Sequence, residues 1–168
     1  SWGRLGNQQI GSDFPYASSI AIGSSNFVFN NAIITGATQN VLANSLIQWE
    51  TTETTNIGLD AGFLNQKLTF TADYYIRKTF DILLSLPIPY VIGLSPSMQN
   101  AGNVENKGLD FSIGWTESKG DFSYYARLNF SDVKNKVTNL SGVGPIISGI
   151  SITDVGNPIG SIYGFESA

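Results

Sequence analysis

Four aspartates, Asp60, Asp73, Asp81 and Asp110, are the side chains in this sequence whose type and spacing best suit chemistry. Carboxylates that face one another across a sugar serve glycoside hydrolysis, one as acid and the other as base or nucleophile. Ser131-Asp132-Val133-Lys134 has the S-x-x-K spacing in which an amine activates a serine. Neither arrangement has its companions. No K-T-G or S-D-N accompanies the serine, and the aspartates sit on alternating polar faces where water alone explains them. The glycine-rich stretch 141–150 lacks the Gly-Lys-Ser/Thr of a phosphate cradle and reads as a loop. With no histidine and no cysteine, thiol catalysis, disulfides, His-based triads and the common zinc sites drop out together. We assign no catalytic, cofactor-binding or metal-binding residue, and the chain does not read as an enzyme.

The elements that carry these residues are long strands. From Lys67 one face collects Leu68, Phe70, Ala72, Tyr74, Ile76, Phe80, Ile82 and Leu84, broken only by Lys78. The other face collects Thr69, Thr71, Asp73, Tyr75, Arg77, Thr79 and Asp81, and a period of two marks a strand. Thr55 to Phe63 alternates in the same way, and Asn65-Gln66 joins the two runs into a hairpin. A second hairpin has Leu109, Phe111, Ile113 and Trp115 before a turn near Ser118-Lys119-Gly120-Asp121, and Phe122, Tyr124, Ala126, Leu128 and Phe130 after it. Four strands are thus expected near 50–63, 67–84, 105–117 and 121–137. The alternation after Lys67 exceeds the usual strand of about 3 to 10 residues. A tilted strand of roughly 9 to 11 residues already crosses a bilayer.

Between these strands, short turns alternate with long connections over 6–45, 85–104 and 140–168. Short apolar pieces near Ser19, Phe27 and Ala32 predict ordered segments inside the first of them, because a structureless loop of that length is unusual. Tyr16, Tyr90 and Tyr163 lie in the connections, where they could stack on sugars or pack the loops together. Only 13% of the residues are charged, which is thin for a soluble surface. No apolar run is long enough for a membrane-crossing helix, whereas barrel strands hide their hydrophobicity in alternate positions. The net charge of −4, with nine Lys and Arg that look scattered along the chain, argues against a nucleic-acid partner.

The sequence therefore reads as all-β: an antiparallel meander of long strands, short turns at one end and long loops at the other, forming part of a large transmembrane β-barrel. On this reading Asp60, Asp73, Arg77, Asp81, Asp110 and Arg127 face the lumen. Leu68, Phe70, Tyr74, Phe111, Trp115, Tyr124 and Phe130 face lipid. If the apolar sets of the second hairpin share a face, paired residue numbers sum to an odd total. Placing Phe122 or Tyr124 opposite Trp115 leaves Asp110 and Arg127 near enough to pair. The alternative architecture is a soluble extracellular β-sandwich, such as a carbohydrate-binding module, with a second sheet over the apolar face.

Five stretches in order resemble the SusC/RagA-like TonB-dependent outer-membrane transporters. They are Ser1-Trp2-Gly3-Arg4-Leu5-Gly6-Asn7-Gln8, the run from Trp49 to Asp60, the run from Asp73 to Leu84, the run from Gln99 to Gly108 and the run from Val155 to Gly164. The resemblance implies a place in the bacterial cell outer membrane, in contact with its lipid. It implies import of oligosaccharides or peptides, a SusD-like surface lipoprotein as lid, and energy from the TonB complex. It also implies that residues 1–168 form a late-middle part of the barrel wall, without plug, TonB box or barrel C-terminus. A passive porin would share the wall and lack the plug.

Overall fold

The computed structural model describes residues 1–8, 14–86 and 88–164. Five strands form one antiparallel sheet: β1 (Trp2–Asn7), β6 (Glu50–Phe63), β7 (Leu68–Ser85), β8 (Met98–Lys119) and β9 (Phe122–Asn139), in the order β1-β6-β7-β8-β9. The four long strands form the continuous meander that alternation predicts. Strand β8 starts at Met98, seven residues before its expected beginning. The sequence from Met98 to Val104 lacks clean alternation because its pairing with β7 contains irregularities.

The connections contain the smaller elements. Strands β2 (Ile20–Ile22) and β5 (Ala37–Gln39) pair around the hairpin of β3 (Phe27–Phe29) and β4 (Ala32–Ile34), so ordered segments fall where the sequence predicts them. Asn30 and Asn31 make the β3–β4 turn with φ of 49° and 58°, the conformation that a two-residue hairpin turn demands. A single 3₁₀ turn covers Tyr90–Ile92. Beyond β9, strands β10 (Ile146–Ser148), β11 (Ser151–Thr153) and β12 (Ser161–Ile162) form a three-stranded sheet. The segment before β12 returns to β9: the Val137 N–H donates to Asn157 O and the Gly156 N–H to Val137 O. Pro87, one of the two prolines that end the β7 alternation, lies outside the described residues.

Each turn sets a register. Phe63 pairs with Leu68, so the first hairpin turns through Leu64, Asn65, Gln66 and Lys67 rather than through Asn65-Gln66 alone. The second is the two-residue turn Gly120-Asp121, with Gly120 at φ +63° and Lys119 opposite Phe122. Paired numbers there sum to an odd total, as expected, but Trp115 stands opposite Ala126. Asp110 consequently faces Ser131 and Arg127 faces Gly114; the expected Asp110–Arg127 pair does not form, although both residues share a face. Four residues of strand, about 13 Å, separate their rows.

One departure changes faces within a strand. Asp81 has φ +57°, and pairing slips between Thr79↔Val104 and Ile82↔Gly102, where β7 contains one extra residue; between Ile82↔Gly102 and Leu83↔Asn100 the extra residue is in β8 and the register returns. A bulge of this kind shifts the period by one. Ile82, expected on the apolar outer face, instead packs against the buried cluster Val104, Val137 and Leu140, together with Ile146. Leu84 likewise comes to lie against Gly102. The bulge is stitched by side chains: the Asp81 N–H donates to Asn103 Oδ1 at 3.1 Å, Asn100 Nδ2 donates to Asp81 O at 2.8 Å, and the Leu83 N–H donates to Glu50 Oε1 at 2.9 Å.

Candidate functional site

The functional feature of this fold is the division of its sheet into two unlike faces. Across the strands, the apolar face reads Phe63-Leu68-Trp115-Ala126, then Ala61-Phe70-Ile113-Leu128, then Leu59-Ala72-Phe111-Phe130, then Ile57-Tyr74-Leu109-Asp132. All seven side chains expected to meet lipid, Leu68, Phe70, Tyr74, Phe111, Trp115, Tyr124 and Phe130, fall on this face. Phe70 and Phe111 meet edge to face, ring centres 5.1 Å apart. Phe122 and Tyr124 lie 6.0 Å apart beside the turn. Among the described residues no second sheet covers the face, as Leu128 at 65% and Phe130 at 57% exposure show. A β-sandwich would bury these side chains.

The opposite face is polar. Its rows are Asp60-Thr71-Ser112-Asn129, Gly58-Asp73-Asp110-Ser131, Asn56-Tyr75-Gly108-Val133 and Thr54-Arg77-Asn106-Asn135. An open depression of about 700 Å³ lies where β1 meets this face, lined by Thr52, Thr54, Arg77, Thr79 and Asn106 together with the β1 residues 3–5. Asp73 and Asp110 stand directly opposite on neighbouring strands, an arrangement that repels unless water and donors screen it. Asn56 Nδ2 donates to Asp73 Oδ1 at 3.3 Å, and Ser131 Oγ donates to Asp110 Oδ1. Asn135 Nδ2 donates to Asn106 Oδ1 at 2.7 Å in the Arg77 row. Asp81, placed on this face by alternation, sits in the bulge instead.

Four glycines, Gly58 beneath Asp73 among them, bring side chains down onto this polar face. A Cβ on Gly108 would come within 2.5 Å of Tyr75 Cε1, so the Tyr75 ring lies over the glycine of the next strand. Gly62 is covered in the same way by Gln66, and Gly114 by Thr69. Glycine in a strand interior marks such close approaches. Among the described residues, the sequence's candidate catalytic groups do not come together. Ser131 faces the polar side while Lys134, three residues on, faces the other, which rules out the S-x-x-K chemistry. Among the described residues, no group of three His, Cys, Asp or Glu could hold a metal ion. Of the loop aromatics, Tyr16 packs edge to face on Phe14 at 6.3 Å, and Tyr90 is fully exposed.

Sequence reasoning missed one constellation. Five of the nine Lys and Arg, Arg4, Lys78, Lys107, Lys134 and Lys136, fall in two adjacent rows across the apolar side of the sheet, next to the Ile57-Tyr74-Leu109 row. One row alternates in sign: Arg4-Glu53-Lys78-Glu105-Lys136. Arg4 lies 3.6 Å from Glu53, and Glu105 serves both Lys107 at 2.7 Å and Lys78 at 3.8 Å. Only the strand register, which alternation leaves open by steps of two, gathers these residues.

A long-stranded sheet with an uncovered apolar face, a polar face and its long loops at one end defines a section of transmembrane β-barrel wall. The chain belongs to the TonB-dependent receptor family: the family model "TonB dependent receptor-like, beta-barrel" matches residues 1–162. SusC of Bacteroides thetaiotaomicron is 35% identical over 145 residues, covering 84% of this chain and 14% of SusC. A TonB-dependent receptor of Formosa agariphila is 36% identical over 144 residues, covering 85% of this chain and 14% of the receptor. The structure of the RagAB peptide importer in its "closed-closed" state superposes with a TM-score of 0.83 at 27% identity, over 96% of this chain and 18% of that one. In the "open-open" state the TM-score is 0.80 at 28% identity, over 94% and 17%. The resemblance read from sequence is thus correct, and the family places the chain in the outer membrane. The chain spans 14% to 18% of the length of these relatives.

Proposed function

We propose that residues 1–168 are part of the barrel wall of an active importer that takes up oligosaccharides or peptides. In this reading the apolar face meets lipid and the polar face lines the lumen, where Asp60, Asp73, Arg77, Asp110 and Arg127 contact water, solute or plug. The observation that carries it is the uncovered apolar face backed by a polar face. In a bilayer the first needs no protein cover, and the second conducts water and polar solute. The relatives named above support a SusD-like surface lipoprotein as partner and energy from a TonB complex, acting through other parts of the whole protein. The family consists of transporters and receptors, which agrees with a wall that does no covalent chemistry.

The test uses the full-length protein in its native cell. Uptake of labelled oligosaccharide and oligopeptide mixtures should fall when its gene is deleted and again when TonB is removed. Uptake that persists without TonB would instead indicate a passive pore. Affinity purification of the tagged barrel should retain a surface lipoprotein; recovery of the barrel alone from mild detergent would remove the lid from the proposal.

A further inference from the structure

The basic rows on the apolar side have no use in carrying solute through a lumen, and their position suggests a second role. Strands rise about 3.3 Å per residue. Lys107 lies eight residues from Trp115, and Glu105 ten, along β8. With a barrel tilt near 40°, these rows stand roughly 20 to 25 Å above the Trp115 row, the height of an apolar band. They also lie on the side of the long loops. If the apolar face meets lipid, as proposed above, these side chains stand among the headgroups of the leaflet facing those loops.

Their charges do not balance. On β7, β8 and β9 the two rows and the adjoining Asp132 hold Lys78, Lys107, Lys134 and Lys136 against Glu105 and Asp132. Lys107 and Lys134 stand directly opposite each other, where like charges are unfavourable. Glu105 is already shared by Lys78 and Lys107. Among the described residues, neither Lys134 nor Lys136 has a carboxylate within ion-pair distance. A concavity of about 260 Å³ opens between Lys107 and Lys134, lined also by Tyr74, Gly108, Leu109 and Asp132. A chain of net charge −4 thus presents a cationic cluster in two adjacent rows on one face.

We propose that Lys107 and Lys134, flanked by Lys78 and Lys136, bind the phosphate of an anionic lipid headgroup. The phosphate sits between the two facing ammonium groups and relieves their repulsion, while the acyl chains run down the rows of Tyr74, Leu109, Phe111 and Phe130. Lysine is a point-charge phosphate binder, and its flexible stem follows an apolar surface to reach the headgroup.

The experiment titrates the full-length barrel, in uncharged detergent, with phosphatidic acid and reads bound lipid by native mass spectrometry. Phosphatidic acid should bind at least tenfold more tightly than phosphatidylcholine. The Lys107→Gln/Lys134→Gln variant should lose affinity on the order of 30-fold, whereas Lys119→Gln, beside the β8–β9 turn, should leave it unchanged. If the double variant does not fold, Lys134→Arg should retain affinity and Lys134→Gln should lose several-fold. Equal binding of the two lipids, or full affinity in the glutamine variants, overturns the site. Binding of inorganic phosphate as tight as that of the lipid would show a plain anion site instead. A spin label at Leu128→Cys in vesicles separates the two proposals: a label in contact with lipid keeps the face assignment even if the headgroup site fails. A label in water sinks both.

Discussion

Replacing Gly108 by alanine should destabilise the barrel only while Tyr75 is present. A Cβ on Gly108 would stand 2.5 Å or less from two ring carbons and the hydroxyl oxygen of Tyr75, where ordinary contact needs about a further 1 Å. The ring must therefore lift off the β8 backbone. Overpacking of this kind costs about 1–3 kcal/mol. Alanine also relieves glycine's penalty within a strand by about 0.5–1 kcal/mol. The net expectation for Gly108→Ala is a loss of roughly 0.5–2 kcal/mol. With Tyr75→Ala in place there is no ring to displace, and the same change should stabilise by about 0.5–1 kcal/mol. The coupling energy in the double-mutant cycle is then about 1–3 kcal/mol, the size expected for residues in contact. Both strands lie inside the sheet and pair on each side, so sheet edges do not enter the comparison. Urea unfolding of the full-length barrel in lipid vesicles, followed by tryptophan fluorescence, gives the four free energies. A Gly108→Ala effect that is the same in both backgrounds to within about 0.3 kcal/mol would show that Tyr75 does not rest on the glycine.

Three further outcomes follow from the faces and the bulge. Phe111→Arg, in the middle of the apolar rows, should cost about 2–4 kcal/mol in a bilayer, whereas Asn129→Arg on the polar face should cost under about 1 kcal/mol; the same unfolding assay compares them. Residues 1–168 expressed alone should need detergent or denaturant to stay dispersed, because the sheet has open edges and an uncovered apolar face; a monodisperse monomer in plain buffer by light scattering would contradict that. At the bulge, Asp81→Gly should change stability by only a few tenths of a kcal/mol, while the β-branched Asp81→Val should cost about 1–3 kcal/mol because its φ is positive; equal effects by thermal unfolding would remove the strain argument.

Much of the wall was readable because side chains on a half-buried strand obey a period of two, and Leu68 to Ile76 or Leu109 to Trp115 display it without interruption. What failed to read did so where that period changes or says nothing. The bulge at Asp81 inserts one residue, and aspartate tolerates the left-handed conformation without announcing it, so Ile82 and Leu84 look as if they continue the outer face. The second hairpin's register depends on which residues turn: Gly120-Asp121 as a two-residue turn sets Trp115 against Ala126, and apolar matching alone accepts any even slip. The cationic rows were invisible for the same reason. Arg4 and Lys136 stand at opposite ends of the sequence, and only four successive pairings bring them into one row.

The Asp81 bulge also acts as a ruler. Below it, β7 keeps its grease outside, and above it Ile82 turns inside against Val104, Val137 and Leu140 while Leu84 lies over Gly102. The extra residue comes just past Lys78, in the charged row, so on the proposed face assignment the strand changes phase where the bilayer ends and an ordinary protein interior begins. The upper boundary of the embedded wall is thus encoded as a position along the chain rather than as a composition. Moving the bulge by two residues would raise or lower that waterline by about 5 Å without altering the amino-acid content. Deleting it would invert the upper strand, and the loops resting on Val137 would lose their floor.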